Sequence, residues 1–237
     1  LRLCLRLMNP VMASSNLLRF RRPAKTGSTF LISLMVTMQE QCPHARIDYE
    51  CKRGMWRDCP AHGGHGGLRE DDNAVVLRDP VDRFVSAFYY SRNYESIPAR
   101  SCTPNPFARK ELNALAEYAN SRAFAEALLT NATLRRVWMN PHWFSEPGIC
   151  GECGAMCGFV PQKEYIDDSI RYRFTLPTVE RTLKEHVGCN VRMKRHKVHP
   201  HPTALEEFGA NVSVLQSLYL DDFALWRAGP SLPADFD

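Results

Sequence analysis

The apolar positions of this chain fall into short continuous runs that alternate with stretches of helical period. Residues 16–22 (Asn-Leu-Leu-Arg-Phe-Arg-Arg) read as a short strand, and Leu31, Leu34, Met35 and Met38 then recur at helical spacing. The linker between them is Pro23-Ala24-Lys25-Thr26-Gly27-Ser28-Thr29. Ala74-Val75-Val76-Leu77 is an unbroken apolar run of the kind a buried parallel strand carries. It stops at Arg78-Asp79-Pro80, where Asp79 can cap and Pro80 can open a helix bearing Val81, Phe84, Val85 and Phe88. Farther on, the period predicts an amphipathic helix over 108–131, a strand over 171–175, a helix from Thr178 to Val187 and a last helix over about 211–227. The segments 42–73, 96–106 and 140–161 carry no clear period and read as loops. Strands separated by helices imply an α/β fold, with a central parallel sheet flanked by helices. No internal repeat is present, and residues 1–237 read as one domain.

Composition narrows the class without naming it. The 237 residues are 44% hydrophobic and 24% charged, which suits a folded globular domain and excludes a disordered or collagen-like chain. A formal charge of +4 is compatible with anionic ligands but too small to announce nucleic acid. No run approaches the ~18 uninterrupted apolar residues of a membrane span, because Arg2, Arg6, Asn9 and Pro10 interrupt the apolar terminus. The sequence begins at Leu1, and an anchor or signal upstream of it is expected. Nine cysteines are many for a reducing compartment, and the sequons at Asn131 and Asn211 point the same way.

Two segments carry candidate chemistry. Lys25-Thr26-Gly27-Ser28-Thr29, placed between strand and helix, offers backbone N–H groups, hydroxyls and one cation to a phosphate or sulfate. A nucleoside-triphosphate loop would need Gly-Lys followed by Ser or Thr, and no Gly-Lys pair occurs anywhere. The second segment, Leu77 to Phe88, puts Arg78 at a strand's carboxyl end, Arg83 in the first turn of the helix and Ser86 about two turns in. Ligands of parallel α/β sheets bind outside those carboxyl ends. A surface pairing of Arg78 with Asp82 is the plainer reading of that segment alone. Cys150, Cys153 and Cys157 could join Cys189 or a histidine in a zinc site, although disulfides in a loop-rich insertion fit them better. The basic run Arg192 to Lys197, with His199 and His201, reads as a solvated loop, or as a surface for an anionic sugar or a cofactor phosphate. It lacks the interleaved aromatics of a nucleic-acid surface.

The pair Lys-Thr-Gly-Ser-Thr (25–29) and Leu-Arg-Asp-Pro-Val-Asp-Arg-Phe-Val-Ser-Ala-Phe (77–88) resembles the two cofactor motifs of sulfotransferases that use 3′-phosphoadenosine 5′-phosphosulfate (PAPS). It is most similar to the Golgi carbohydrate branch. Weaker similarity continues at Val160-Pro161-Gln162 with Tyr165, over Phe174 to Glu180, and in Leu218 to Trp226. The resemblance implies a P-loop-like sulfotransferase fold that moves a sulfuryl group from PAPS to a hydroxyl, with no metal required. Lys25, Thr26, Gly27, Ser28 and Thr29 would hold the 5′-phosphosulfate, with Lys25 also catalytic; Arg78, Arg83 and Ser86 would serve the 3′-phosphate. In that branch a His or Glu between the motifs is the general base, which implies His65, with His62 in reserve and Glu50 third. The implied acceptor is a carbohydrate, anionic in some cases, and the implied compartment is the Golgi lumen, reached as a type II membrane precursor. A kinase-like phosphotransferase and a zinc-stabilised binding module are the competing readings.

Overall fold

The computed structural model describes residues 3–6, 17–21, 23, 25–41, 47–49, 74–93, 106–142, 156–187 and 201–231. Its strands are β1 (Leu3–Arg6), β2 (Leu17–Arg21), β3 (Ile47–Tyr49), β4 (Ala74–Leu77) and β5 (Tyr172–Thr175), in the sheet order β3-β1-β2-β4-β5. The part that matters for function is the parallel trio. β2 pairs with β4 through Phe20↔Ala74, and β4 pairs with β5 from Ala74↔Tyr172 to Leu77↔Thr175. All four residues of β4 are buried, as its unbroken apolar run requires of a central strand. Phe20 and Phe174 reach across it, their ring centroids 5.5 Å apart. β1 and β3 extend the β2 edge antiparallel. Both were absent from the expected elements, and β3 falls inside the segment read as loop.

The helices are α1 (Ser28–Gln41), α2 (Pro80–Arg92), α3 (Pro106–Ala114), α4 (Ser121–Thr130), α5 (Ala132–Trp138), α6 (Leu176–Val187), α7 (Ala204–Phe208), α8 (Ser213–Leu218) and α9 (Leu220–Ala228). α2 starts as its sequence dictates, with Pro80 at its first position and the Asp79 carboxylate accepting from Val81 N and Asp82 N. The single helix expected over 108–131 is divided. Asn120 takes an extended conformation and its side chain accepts from Ala123 N at 2.9 Å, so a new helix begins there. The last helix is likewise broken at Tyr219, whose hydroxyl donates to Phe159 O at 2.7 Å.

Phe84 of α2 is the hub of the core, in ring contact with Phe124, Phe159, Phe208 and Tyr219. Phe159 belongs to the stretch 140–161 that was expected to be loop. Within it, Met156 to Val160 are buried instead. The physical reason is that its apolar side chains fill the aromatic core while donors from elsewhere satisfy its carbonyls: Tyr165 Oη and Arg83 Nη2 to Cys157 O, and Tyr219 Oη to Phe159 O.

Candidate active site

Strand β2 runs into residues 23–27 and then α1. Thr26 is buried, and both its N–H and its hydroxyl donate back to Pro23 O, the hydroxyl at 2.7 Å, which closes the loop. Two residues in this loop are left-handed: Lys25 with φ 65° and Gly27 with φ 93°. Gly27 tolerates that conformation, and a Cβ there would lie 2.5 Å from the Leu176 side chain at the start of α6. Lys25 has no such excuse, and a lysine in this region marks strain of the kind found at functional sites.

The second motif meets the first at the neighbouring strand end. Arg78 follows β4, and its Nη1 donates to Lys25 O at 3.2 Å. The Lys25 ammonium lies over the ring of Tyr90 on α2. Burial, and then the charge of Arg78, hold the Lys25 ammonium well below the ordinary lysine range. Burial also lowers the Arg78 guanidinium, with Arg83 adding to the effect and Asp82 and Asp79 opposing it. Among the described residues no carboxylate pairs with Lys25. The two adjacent parallel strands therefore deliver two crowded, poorly solvated cations to one place.

Of the residues expected to bind the donor, Lys25, Thr26, Gly27 and Arg78 converge here. Ser28 and Thr29 open α1, where backbone N–H groups point free of the helix ladder. Ser86 lies half-buried on α2, four residues before Tyr90 and so on the same helix face. Arg83 is 2% exposed and its Nη2 donates to Cys157 O at 3.3 Å, so it anchors the buried 156–160 segment. His62, His65 and Glu50 lie outside the described residues.

Four positions were given no role from the sequence, although Gln162 and Asp222 lie in its segments of weaker similarity. Gln162 Oε1 accepts from Arg78 N and its Nε2 donates to Arg78 O, both at 2.9 Å. Asp222 accepts from Gln162 N at 2.7 Å and Lys163 N at 2.9 Å. Gly158 packs against the site itself, since a Cβ there would lie 3.2 Å from Lys25 Cγ and 2.6 Å from Ala87 Cβ. Only Tyr90 had a local signal, its helical spacing from Ser86.

The model of the sulfotransferase family matches residues 11–226, which takes in both motifs, the Gln162 turn and most of α9. The chain belongs to the sulfotransferase family. No curated protein and no solved structure matches it. For a sulfotransferase, cations at the carboxyl ends of adjacent strands are the groups that sulfuryl transfer requires, because the reaction depends on positioning and charge stabilisation. Family membership favours sulfuryl transfer over the phosphotransferase and zinc-module readings. Among the described residues no three His, Cys, Asp or Glu side chains cluster, and Cys150 and Cys153 lie outside them.

Proposed function

We propose that this sulfotransferase takes its sulfuryl group from PAPS and delivers it to a carbohydrate hydroxyl in the Golgi lumen. The observation that carries the donor assignment is the Lys25 ammonium, desolvated beside Arg78 and without an acidic partner among the described residues. Two such cations fit a ligand with two anionic ends. Lys25 to Thr29 would hold the 5′-phosphosulfate, and Arg78 with Ser86 the 3′-phosphate. When bound, PAPS supplies an activated sulfuryl group.

The chain supplies the remainder. The loop and the N-terminus of α1 orient the anion through backbone N–H groups. Lys25 keeps positive charge beside the oxygen from which the sulfuryl group departs, and His65 takes the acceptor hydroxyl's proton on a ring nitrogen, with His62 as the alternative base. What supports the carbohydrate and luminal reading is the similarity of the two motifs to the Golgi branch, together with nine cysteines and exposed sequon asparagines 131 and 211.

Thermal unfolding of the purified protein with 3′,5′-adenosine diphosphate or ATP tests the donor. Saturation at ~100 times Kd should stabilise by about 2.7 kcal/mol, and the 3′-phosphorylated nucleotide should do this at much lower concentration. Stabilisation by ATP alone would overturn the reading. Turnover of labelled PAPS on unsulfated glycans, with His65→Ala and His62→Ala, then identifies acceptor class and base.

A further inference from the structure

The path of the Lys25 side chain is set along its whole length. Its backbone is left-handed, its carbonyl is taken by Arg78 Nη1, its Cγ passes Gly158, and its Nζ ends 2.6 Å from the centroid of the Tyr90 ring. Tyr90 is half-buried and stands one helical turn beyond Ser86. The groups facing the ammonium among the described residues are few. Arg78 comes from the β4–α2 junction and Tyr90 from α2, whereas Gly158, which packs against Lys25 Cγ, brings no charge. A cation so placed, with a guanidinium as neighbour, lacks an ionic reason to stay charged before an anion arrives.

We propose that Tyr90 is a positioning residue of the sulfuryl-donor site, whose ring face holds the Lys25 ammonium charged and in place beside Arg78 while no anion is bound. The negative face of an aromatic ring attracts a cation, most strongly where water is excluded. Burial raises the Tyr90 phenol above its usual range, so the ring is neutral wherever Lys25 titrates. The ring face does the work, so Phe should replace Tyr at this position and an aliphatic side chain should not. The inference rests on the reading of Lys25 as a donor-binding residue, and it deepens that reading by naming what holds Lys25 ready.

The test begins without nucleotide. The Lys25 side chain, labelled at Cε and assigned by comparison with Lys25→Arg, is titrated by NMR in wild type, Tyr90→Phe and Tyr90→Leu. Tyr90→Phe should titrate as wild type does. Tyr90→Leu should raise the ratio of amine to ammonium at fixed pH by about five- to tenfold. In calorimetry with 3′,5′-adenosine diphosphate, Tyr90→Leu should bind about as tightly as wild type at pH values where Lys25 stays charged in both. Its affinity should fall five- to tenfold at higher pH, where binding must recharge the amine. A folded Tyr90→Leu protein with an unchanged Lys25 titration would overturn the proposal, as would Tyr90→Phe behaving like Tyr90→Leu. Absence of nucleotide binding in all three proteins, with the titration shift present, would strike the donor assignment and leave the Tyr90–Lys25 pair standing.

Discussion

Gln162 grips Arg78 at both ends of one residue: the Arg78 N–H donates to its Oε1, and its Nε2 donates to the Arg78 carbonyl. A side chain 84 residues away in sequence thus supplies the hydrogen bonds a neighbouring strand would have given. The Arg78 backbone is fixed just where β4 ends, and with it the origin of the guanidinium that reaches Lys25 O. Gln162→Ala should leave two backbone groups without their partner, at a cost of about 1–3 kcal/mol in stability. Its affinity for 3′,5′-adenosine diphosphate should fall further than the stability loss alone explains, by tenfold or more at full folding. Urea denaturation paired with calorimetry checks this. An unchanged affinity in a destabilised protein would show that Arg78 holds its geometry without Gln162.

Asp222 stands behind that grip. Burial raises its carboxyl, against the pull of Arg83 and of the two backbone N–H groups it accepts. A carboxyl whose folded pKa exceeds its unfolded one binds more protons in the native state between the two values, so stability falls as pH rises through that window. Asp222→Asn removes this slope and turns one amide hydrogen toward a backbone donor. The variant should be less stable by about 1–3 kcal/mol in mild acid, with the gap to wild type narrowing as pH rises. Urea midpoints across the acid range decide the point, and a gap independent of pH would contradict a raised Asp222.

The parallel trio, the helix after Pro80 and the two strand-to-helix turns that bring Lys25 and Arg78 together were legible because each is written locally, in an apolar run, a cap or a hydroxyl-rich turn. Gln162 and Asp222 were not, because their roles are set by partners far away in sequence. The contact Arg83 makes was hidden for a related reason: its helical position is local, but the carbonyl it donates to, Cys157 O, belongs to a segment whose Gly and Cys content reads as surface loop. The left-handed Lys25 had no signature, since strain at a non-glycine residue is imposed by the surrounding structure.

Gly158 should prove intolerant for a reason a second mutation can relieve. An added Cβ would fall 2.6 Å from Ala87 Cβ and 3.4 Å from Ala87 Cα. Gly158→Ala should therefore push the 156–160 segment off α2 and cost about 1–3 kcal/mol. Ala87→Gly costs about 1 kcal/mol by itself, as glycine does inside a helix. The double variant should be more stable than the two losses added together, with a coupling of about 1 kcal/mol in denaturant unfolding. Simple additivity would mean that the strain is released elsewhere.

Lys25 sets function against stability. Its folded pKa lies well below the ordinary lysine value through burial and the nearness of Arg78. Between the folded and unfolded values the unfolded chain binds more protons, so stability rises with pH through that window, and below it the charged form is a standing penalty. Lys25→Met keeps the length of the side chain and removes the charge. At neutral pH the nucleotide-free variant should be more stable than wild type by about 0.5–2 kcal/mol, with the alkaline rise in stability flattened. The same variant should lose stabilisation by 3′,5′-adenosine diphosphate and nearly all turnover of PAPS. Denaturant unfolding across neutral and alkaline pH, with and without nucleotide, separates the two effects. A Lys25→Met protein less stable than wild type at neutral pH would show that the Tyr90 ring offsets the whole cost of burying the ammonium, leaving no penalty to relieve.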